Sequence, residues 1–265
     1  IDHAHSVDAT SAVYLSAAYG VTDDLTIAAR IPYVFRDDLR SSHIHDGAVE
    51  ISQDGDSAGH GDLLVLAMYR VIALGEEGVD ASVIAGIEMP TGFTTDRSRS
   101  GRVFHVEHQP GSGSWDPLVG IALSRPMGPV SIHASAVYTI ATEGARETDL
   151  GDMLRYGLAV VWRVGGASHH HHDEDENGVE PHRHDGLVWD LILELEGQWQ
   201  DKAEIAGRDD ENSGGYELFL SPGVRLNVNE RWSVYGAVGV PVYQDKNGAG
   251  HETDFRVIAG VAVSL

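Results

Sequence analysis

An all-β fold, an antiparallel transmembrane β-barrel, is predicted by three features of this sequence. Apolar and polar residues alternate with period two along eleven segments. At ~3.3 Å per residue and a tilt near 40°, a strand of about eleven residues rises ~27 Å, close to the apolar band of an outer-membrane barrel. Strands of soluble sandwiches are about half as long. Short and long connections also alternate along the chain, as in a barrel with tight turns at one rim and loops at the other.

The eleven predicted strands follow one another as a single domain, 1–265. In order, they lie at 9–20, 25–33, 61–74, 80–90, 115–125, 129–142, 152–164, 189–199, 216–228, 231–243 and 254–265. The clearest is Trp189–Trp199, which has one aromatic and aliphatic face and one mostly acidic face. The long connections 37–60, 91–113, 143–151, 201–215 and 244–252 are predicted to be extracellular loops, and 165–186 a periplasmic insert rich in His and acidic residues.

The strand count points to a further strand. Closed bacterial barrels have an even number of strands, with both termini on the short-turn side. Counted back from Leu265, the segment 9–20 runs toward the short-turn side, which places Ile1 on the loop side. We therefore expect a twelve-stranded barrel, with eleven strands in this chain and one N-terminal to residue 1.

Aromatic residues on the apolar face of these strands fall into two groups. Those near the short turns are Tyr19, Tyr69, Trp162, Trp189 and Trp232, and those near the long loops are Tyr33, Tyr138, Tyr156, Trp199 and Phe255. Two aromatic belts separated by aliphatic residues are typical of a bilayer with two water interfaces. The apolar face is thus predicted to contact the lipid of a bacterial outer membrane.

The opposite face of the strands is polar and is predicted to line the interior. Its charged and titratable residues are Arg30, Arg70, Glu88, Asp116, His133, Arg155, Arg163, Asp190, Glu194, Glu196, Glu217, Arg225 and Arg256. Isolated charges are costly in a dry core, but both signs are present here and can pair or be hydrated. The opposite arrangement, with Leu191, Leu193 and Leu195 in a central core, would overturn the barrel prediction.

Composition excludes several other functions. Asp and Glu number 41 against 18 Lys and Arg, which gives a formal net charge of −23, the wrong sign for a protein that binds nucleic acid. The chain has no cysteine and therefore neither disulfides nor thiolate catalysis. Gly55-Asp56-Ser57-Ala58-Gly59 fits the G-x-S-x-G pattern of an esterase, but that elbow needs a strand before it and a helix after it. Since neither is predicted here, we expect no enzyme.

Several short motifs keep a definite order along the chain. They include Gly61-Asp62, Pro90-Thr91-Gly92, Gly111-Ser112-Gly113-Ser114-Trp115-Asp116 and Gly151-Asp152-Met153-Leu154-Arg155-Tyr156-Gly157. Together they resemble the outer-membrane channel family named for the MetA pathway of phenol degradation, whose members are also described simply as transporters. The resemblance covers nearly the whole chain and implies a monomeric twelve-stranded barrel for passive uptake of small, hydrophobic molecules. The long His-rich insert departs from the family pattern.

Histidine is unusually frequent, with 15 residues. We predict metal ligands at His43, His45, His105 and His108 on the outer rim, and at His169, His170, His171, His172, His182 and His184 in the insert. Neutral imidazole binds Zn, Cu, Ni and Co without help from cysteine. Such sites would be weak and pH-dependent, because protonation competes with the metal. The alternative is that these residues are only solvated loop positions, and no cofactor is required.

Taken together, the sequence predicts a narrow passive diffusion channel in the outer membrane, and a monomer. Twelve strands lie between the filled eight-stranded barrel and the open porins, so the cargo would be small. The histidine-rich rims favour divalent transition-metal cations, whereas the family resemblance favours small hydrophobic or aromatic compounds. A third hypothesis is a surface metal-binding protein whose barrel is only an anchor and does not conduct.

Overall fold

The structure is a computed structural model that describes residues 3–45, 48–75, 78–165, 187–248 and 252–265; the side chains of residues 3–5, 42–45 and 48–51 lie outside the description. Within these ranges the chain forms sixteen strands. They are β1 (His3–Ser6), β2 (Ala9–Gly20), β3 (Leu25–His45), β4 (Ala48–His60), β5 (Leu63–Ala73), β6 (Asp80–Met89), β7 (Asp116–Met127), β8 (Val130–Thr139), β9 (Thr148–Asp149), β10 (Met153–Val164), β11 (Val188–Gln200), β12 (Glu204–Ile205), β13 (Arg208–Asp209), β14 (Gly215–Asn227), β15 (Trp232–Lys246) and β16 (Arg256–Val263). Two 3₁₀ turns lie at Val106–His108 and Ala145–Glu147.

The main sheet of the described residues has thirteen strands; β1 and β4 pair with β3, and the other eleven follow one another in chain order. The order is β2-β3-β5-β6-β7-β8-β10-β11-β14-β15-β16, and each strand is antiparallel to its neighbours. Antiparallel strands that pair with their chain neighbours are the pattern of an up-and-down barrel. The predicted all-β, antiparallel fold class is confirmed.

The segment 37–60, predicted as an extracellular loop, consists largely of β-strand. Strand β3 has 21 residues and continues well past Tyr33, and β4 returns along it, so the two form a long hairpin that projects beyond the sheet. Strand β1 pairs with the far half of β3. Alternation of apolar and polar residues reports a strand with lipid on one side. On the described part of β4 the buried positions are Gly55, Ser57 and Gly59, which are not aliphatic, so alternation of apolar and polar residues does not mark this part of the hairpin.

The connections sort onto two rims, as expected. Short turns at 21–24, 74–79, 128–129 and 228–231 lie at one end of the sheet, and the long connections 90–115, 140–152 and 201–214 lie at the other. Strands β9, β12 and β13 pair with one another within two of these long connections. In the described residues no helix is long and apolar enough to cross a membrane.

Apolar side chains face out from the sheet. Leu191 is 43% exposed and Leu193 49%, and the same holds for Val119, Ile121 and Leu123 on β7. Among the described residues, the buried apolar side chains are few: Leu39, Phe104, Val106, Leu118, Ala203 and Phe219. A soluble protein would bury its aliphatic residues, so a broad exposed apolar surface marks a lipid-facing one. The predicted orientation of the two faces is confirmed.

Two cross-strand pairs of tyrosine and glycine stabilise the sheet, one on its outward face and one on its inward face. The ring of Tyr156 on β10 lies over Gly197 on β11, and the ring of Tyr235 on β15 lies over Gly260 on β16. Any side chain at either glycine would overlap the ring. The Tyr156 hydroxyl also hydrogen-bonds the Tyr216 hydroxyl on β14. Tyr156 lies near the long-loop rim, where one of the predicted belts was placed. Tyr235 lies near the short turns, opposite Arg225 on the inward face.

The sheet curves around a common interior. Residues of its first strand, β2, and of its last, β16, line the same cavity. Within the described residues, the outer edges of β2 and β16 have no strand partner. Because neighbours alternate in direction, the first and eleventh strands run the same way. The predicted twelfth strand, N-terminal to residue 1, stays a prediction.

Candidate functional site

A cavity of about 650 Å³ lies inside the sheet. Nine of the eleven strands contribute to its lining, from β2 around to β16. Its position follows from the alternation along each strand, because the residues that flank an outward-facing side chain point inward. The cavity is therefore the lumen of the folded sheet.

One wall of the lumen is apolar. It is formed by Leu64 and Leu66 on β5, Ile84 on β6, Leu118 on β7 and Val137 on β8. These four strands are consecutive in the sheet, so the side chains form a continuous patch. The sequence pattern identified the charged inward positions and overlooked these aliphatic ones. The alternation rule assigns aliphatic residues to the lipid-facing side of a strand. Only the folded sheet shows that these five face the lumen instead.

The charged residues of the lumen are balanced in the part of the chain that the structure describes. Six of the thirteen predicted pore-lining residues line the cavity: Arg30, Glu88, Arg155, Glu194, Glu196 and Arg256. They comprise three arginines and three glutamates. Arg155 interacts electrostatically with Glu88 on β6, Arg30 on β3 and Arg256 on β16, which are distant from β10 along the sheet. It therefore lies where opposite parts of the barrel wall approach one another.

The other seven predicted residues lie outside this cavity lining. Toward the short turns, Arg163 Nε donates to Asp190 Oδ1 (2.9 Å), while Asp190 Oδ2 accepts from Asn227 Nδ2 (2.9 Å) and Arg225 interacts with Asp190 electrostatically. At the same end, Arg70 Nε donates to Asp24 Oδ1 (2.9 Å), and the His133 ring nitrogen is 2.9 Å from Ser131 Oγ.

Toward the long loops, the buried Glu217 accepts from Arg256 (2.7 Å) and lies 3.1 Å from Lys246 Nζ. Asp116 is also buried and accepts from Ser114 Oγ (2.8 Å) and Thr142 N (2.9 Å). These polar networks satisfy the buried carboxylates at the two ends of the strands, as burial of a charge requires. Whether any of the thirteen residues contacts a passing solute stays a prediction.

The long connection between β6 and β7 is compact and well packed. We call residues 91–113 the cap segment. Its two ends meet at Gly92 and Gly111, where a Cβ on Gly111 would lie 2.6 Å from the Gly92 Cα. Asp62 holds both ends, since Oδ1 accepts from Gly92 N (2.8 Å) and Oδ2 from Ser112 N (2.6 Å) and Ser112 Oγ (2.8 Å). Only glycines permit this approach of two backbones.

The side chain of Gln109 stabilises the interior of the cap segment through hydrogen bonds to backbone atoms. Its side-chain oxygen accepts from Asp96 N (2.9 Å), and its nitrogen donates to Asp96 O (2.9 Å) and Phe104 O (3.1 Å). The side chain is almost fully buried, and Phe104 and Val106 are buried near it. The ends of the cap segment thus meet and its own side chains pack its interior, as in a long version of an Ω-loop.

The cap segment contacts connections from distant parts of the barrel. Toward the β3–β4 hairpin, Asp96 Oδ2 accepts from Ala58 N (3.1 Å) and Arg36 Nη1 donates to Gln109 O (3.1 Å). Toward the β11–β14 connection, Val106 and Ala203 line one cavity of about 200 Å³. Since β3 is second and β14 ninth among the eleven strands, the cap segment lies across the long-loop mouth of the barrel.

Arg146, in the β8–β10 connection, joins two separate points of the cap segment. Its Nη1 donates to Thr94 O (2.6 Å) and its Nη2 to Phe104 O (2.9 Å). Arg146 and its neighbour Glu147 both have a left-handed backbone, with φ of 56° and 54°. Such a conformation costs a non-glycine residue on the order of 1 kcal/mol. The surrounding contacts hold both residues in it.

Glu107 is a half-buried acid within the cap segment. Burial and the nearby carboxylate of Asp210 raise the pKa of Glu107 from 4.5 to about 7, and Arg36 opposes this increase. The elements around it contribute Arg36 from β3, Asp210 from the β11–β14 connection and Arg146 from the β8–β10 connection. Glu107 thus titrates near neutral pH.

The predicted metal ligands are only partly within the described side chains. His43 and His45 lie on β3, but their side chains fall outside the description, as do His169, His170, His171, His172, His182 and His184 entirely. His105 and His108 line a cavity of about 100 Å³ together with Asp54. In the part of the chain that the structure describes, no group of three or more His, Asp or Glu is arranged to hold a metal ion. Metal binding by the rims stays a prediction.

Sequence reasoning did not identify Asp62, Gln109 and Arg146 as residues that position the cap segment. A signal for the first was present, because the motifs containing Gly61-Asp62, Thr91-Gly92 and Gly111-Ser112 are the ones that suggested a family resemblance. The structure brings these motifs together at the base of the cap segment. Gln109 and Arg146 carry no motif, and their partners are backbone atoms, which no pattern of side chains reveals.

The fold is similar to that of a solved membrane protein. The crystal structure of the COG4313 outer membrane channel from Pseudomonas putida F1 superposes with a TM-score of 0.55 and 17% sequence identity, over 96% of this chain and 83% of that chain. At this identity the likeness establishes the fold. No family profile and no curated protein sequence matches the chain. The resemblance to the MetA-pathway family therefore stays a prediction.

Proposed function

We propose that this protein is a passive diffusion channel of the bacterial outer membrane. The observation that carries the proposal is a lumen lined by charged side chains on the inner face of a curved sheet whose outer surface is apolar. Lipid satisfies an apolar exterior, and water or a polar solute satisfies a charged interior. The solved protein with a similar fold is an outer membrane channel, which supports the same role here.

The walls of the lumen favour a small organic solute that has both an apolar and a polar part. The patch of Leu64, Leu66, Ile84, Leu118 and Val137 would take an apolar body, and the arginines and glutamates of the remaining lining would take a polar group. An aliphatic wall offers no oxygen or nitrogen ligand to a divalent cation, so it does not help such an ion to pass. Among the uptake hypotheses, this observation supports small hydrophobic or aromatic compounds over metal ions.

Two observations would support the metal alternative instead. The His-rich rims could collect Zn, Cu, Ni or Co weakly, and Glu194 and Glu196 both line the lumen. However, three arginines line the same cavity and balance the glutamates, which removes the acidic bias that would attract cations.

Purified protein in planar bilayers tests the main proposal. Discrete ion-conducting steps are expected, whereas a barrel that serves only as an anchor would give none. Liposomes with the protein reconstituted in their membrane would then be exposed to benzoate and to a sugar of similar size. We expect benzoate to permeate faster, and we expect Leu66→Asn to reduce that preference while leaving chloride conductance largely intact. Equal permeation of benzoate and sugar would contradict the role of the apolar wall.

A further inference from the structure

The cap segment has different neighbours on its two sides. Toward the β3–β4 hairpin, backbone groups and Arg36 hold it: Arg99 N donates to Asp54 O (2.8 Å), and Arg36 Nη1 reaches Gln109 O (3.1 Å). On the opposite side, above the base of the segment, the guanidinium of Arg146 supplies hydrogen bonds to Thr94 O and Phe104 O. The two carbonyls are ten residues apart, so one side chain holds both the near and the far part of the segment.

We propose that Arg146 is a latch that holds the cap segment across the outer mouth and so determines which solutes enter the lumen. This inference rests on the proposed channel function. Arg146 acts through the position of the cap segment and does not need to touch the solute.

The backbone beneath Arg146 opposes the latched geometry. Arg146 and Glu147 both occupy the left-handed region, which L-residues with a Cβ adopt only under constraint. Release of the two hydrogen bonds would let both residues return to ordinary backbone conformations. Because this strain is present only in the latched state, it raises the free energy of that state relative to the open one.

Space for movement exists on the side that Arg146 holds. The cavity of about 200 Å³ lies between the cap segment and the β8–β10 and β11–β14 connections, and Val106, Glu107 and Arg146 all line it. Packing here is looser than in the close contacts at the base of the segment, where Asp62 and the glycines hold it. This cavity leaves room for the cap segment and the connection that carries Arg146 to shift relative to one another while the base stays in place.

Removal of the guanidinium tests the latch in the complete chain. Single-channel recordings of Arg146→Ala are expected to show severalfold longer open times, or a larger conductance, than the unmodified protein. Arg146→Lys keeps the charge but loses the two donors of the planar guanidinium, so its open times should lie between those of Arg146→Ala and the unmodified protein. Arg208→Ala removes an exposed arginine from the neighbouring β11–β14 connection and is the matched control, which we expect to behave like the unmodified channel.

A second substitution tests the direction of the strain. Glycine adopts the left-handed backbone without strain, so Glu147→Gly should stabilise the latched state and shorten open times. Opposite changes in Arg146→Ala and Glu147→Gly would support the latch. Unchanged gating in Arg146→Ala, in a channel that conducts, would overturn it and leave the channel function standing.

A readout independent of conduction separates the two proposals. The chain has no cysteine, so a maleimide would label Val106→Cys alone, and Val106 is only 4% exposed. We expect labelling to be at least ~10-fold faster when Arg146→Ala is also present, because local opening limits access to a buried thiol. Equal rates would overturn the latch. Faster labelling in a protein that never conducts would support the latch and refute the channel.

Discussion

At the scale of single residues, buried polar groups at the long-loop mouth are tied to backbone atoms. Asp62 accepts three hydrogen bonds from Gly92 and Ser112, and Gln109 makes three with Asp96 and Phe104. Each such contact fixes the path of the chain as well as satisfying a buried group. The cap segment is therefore ordered by a few side chains and not by a large hydrophobic core.

Asp62→Asn is expected to loosen the base of the cap segment. An amide has one acceptor oxygen where the carboxylate has two, so either the Gly92 or the Ser112 interactions are lost and a buried donor is left unpaired, at a cost of about 1–3 kcal/mol. Hydrogen exchange measured by mass spectrometry should show faster exchange across 91–113, with the strand cores unchanged. Identical protection in the two proteins would refute the role of Asp62.

Glu107→Gln is expected to stabilise the packed cap segment above neutral pH. Because the pKa of Glu107 is raised from 4.5 to about 7, the packed state binds a proton more tightly than the unpacked one. The contribution of Glu107 to the stability of the packed state is therefore largest below about pH 4.5 and falls as the pH rises to about 7. Above that pH it no longer changes.

The Glu107 side chain is 34% exposed, so solvent screening reduces the gain from Glu107→Gln to about 1–2 kcal/mol. The measurement is hydrogen exchange of 91–113 at pH 5 and pH 8 in both proteins. The unmodified protein should lose protection at the higher pH, and the variant should not. The same pH response in both would contradict this assignment.

At the scale of elements, strand pairing depends on contacts that cross from one strand to the next. Tyr156 needs Gly197 on the adjacent strand, and Tyr235 needs Gly260, because each ring occupies the place of a side chain. The aromatic ring in turn covers a strand position that has no side chain of its own. Such pairs stabilise the register of neighbouring strands, the first on the outward face near the long loops and the second on the inward face near the short turns.

Gly197→Ala should destabilise the barrel by about 1–3 kcal/mol, since the new methyl group displaces the Tyr156 ring and its hydrogen bond to Tyr216. Folded outer-membrane barrels resist SDS until heated, so the temperature at which the gel mobility shifts reports stability. Gly236→Ala is the control, because a Cβ there would meet no atom closer than 3.7 Å. Equal melting of both variants would refute the packing role of the pair.

At the scale of the whole molecule, the lumen combines an apolar wall with balanced charges. Three arginines and three glutamates line it, although the chain as a whole carries a formal net charge of −23. The excess acid therefore lies mostly outside the lumen. Ion selectivity depends on the charges near the path, so the net charge of the chain is a poor guide to it.

Single substitutions should therefore shift a weak selectivity in either direction. Arg155→Gln should favour cations, and Glu194→Gln should favour anions, each by about 2- to 5-fold in permeability ratio at low salt. Reversal potentials across a KCl gradient measure both. Arg125→Gln, an arginine that does not line the cavity, is the control. Reversal potentials that do not move in either variant would show that ions bypass these residues.

Much of the fold is readable from the sequence because the membrane imposes a simple rule. Lipid on one side and water on the other force alternation along each strand, and a fixed bilayer thickness sets strand length. The predicted strands and faces, such as Trp189–Trp199 with its outward leucines, follow from this rule. The hairpin of β3 and β4 lies beyond the sheet, where the rule does not apply, and alternation did not reveal it.

What the sequence determined by itself is the local pattern: all-β class, strand positions, outward and inward faces, and the two rims. The tertiary structure decided which inward residues meet in the lumen, that aliphatic side chains form one of its walls, and that Asp62 and Arg146 position the cap segment. The physical reason is that alternation is a property of neighbours in the chain, whereas these contacts join residues from about 30 to more than 50 positions apart, often through backbone atoms that are alike in every residue.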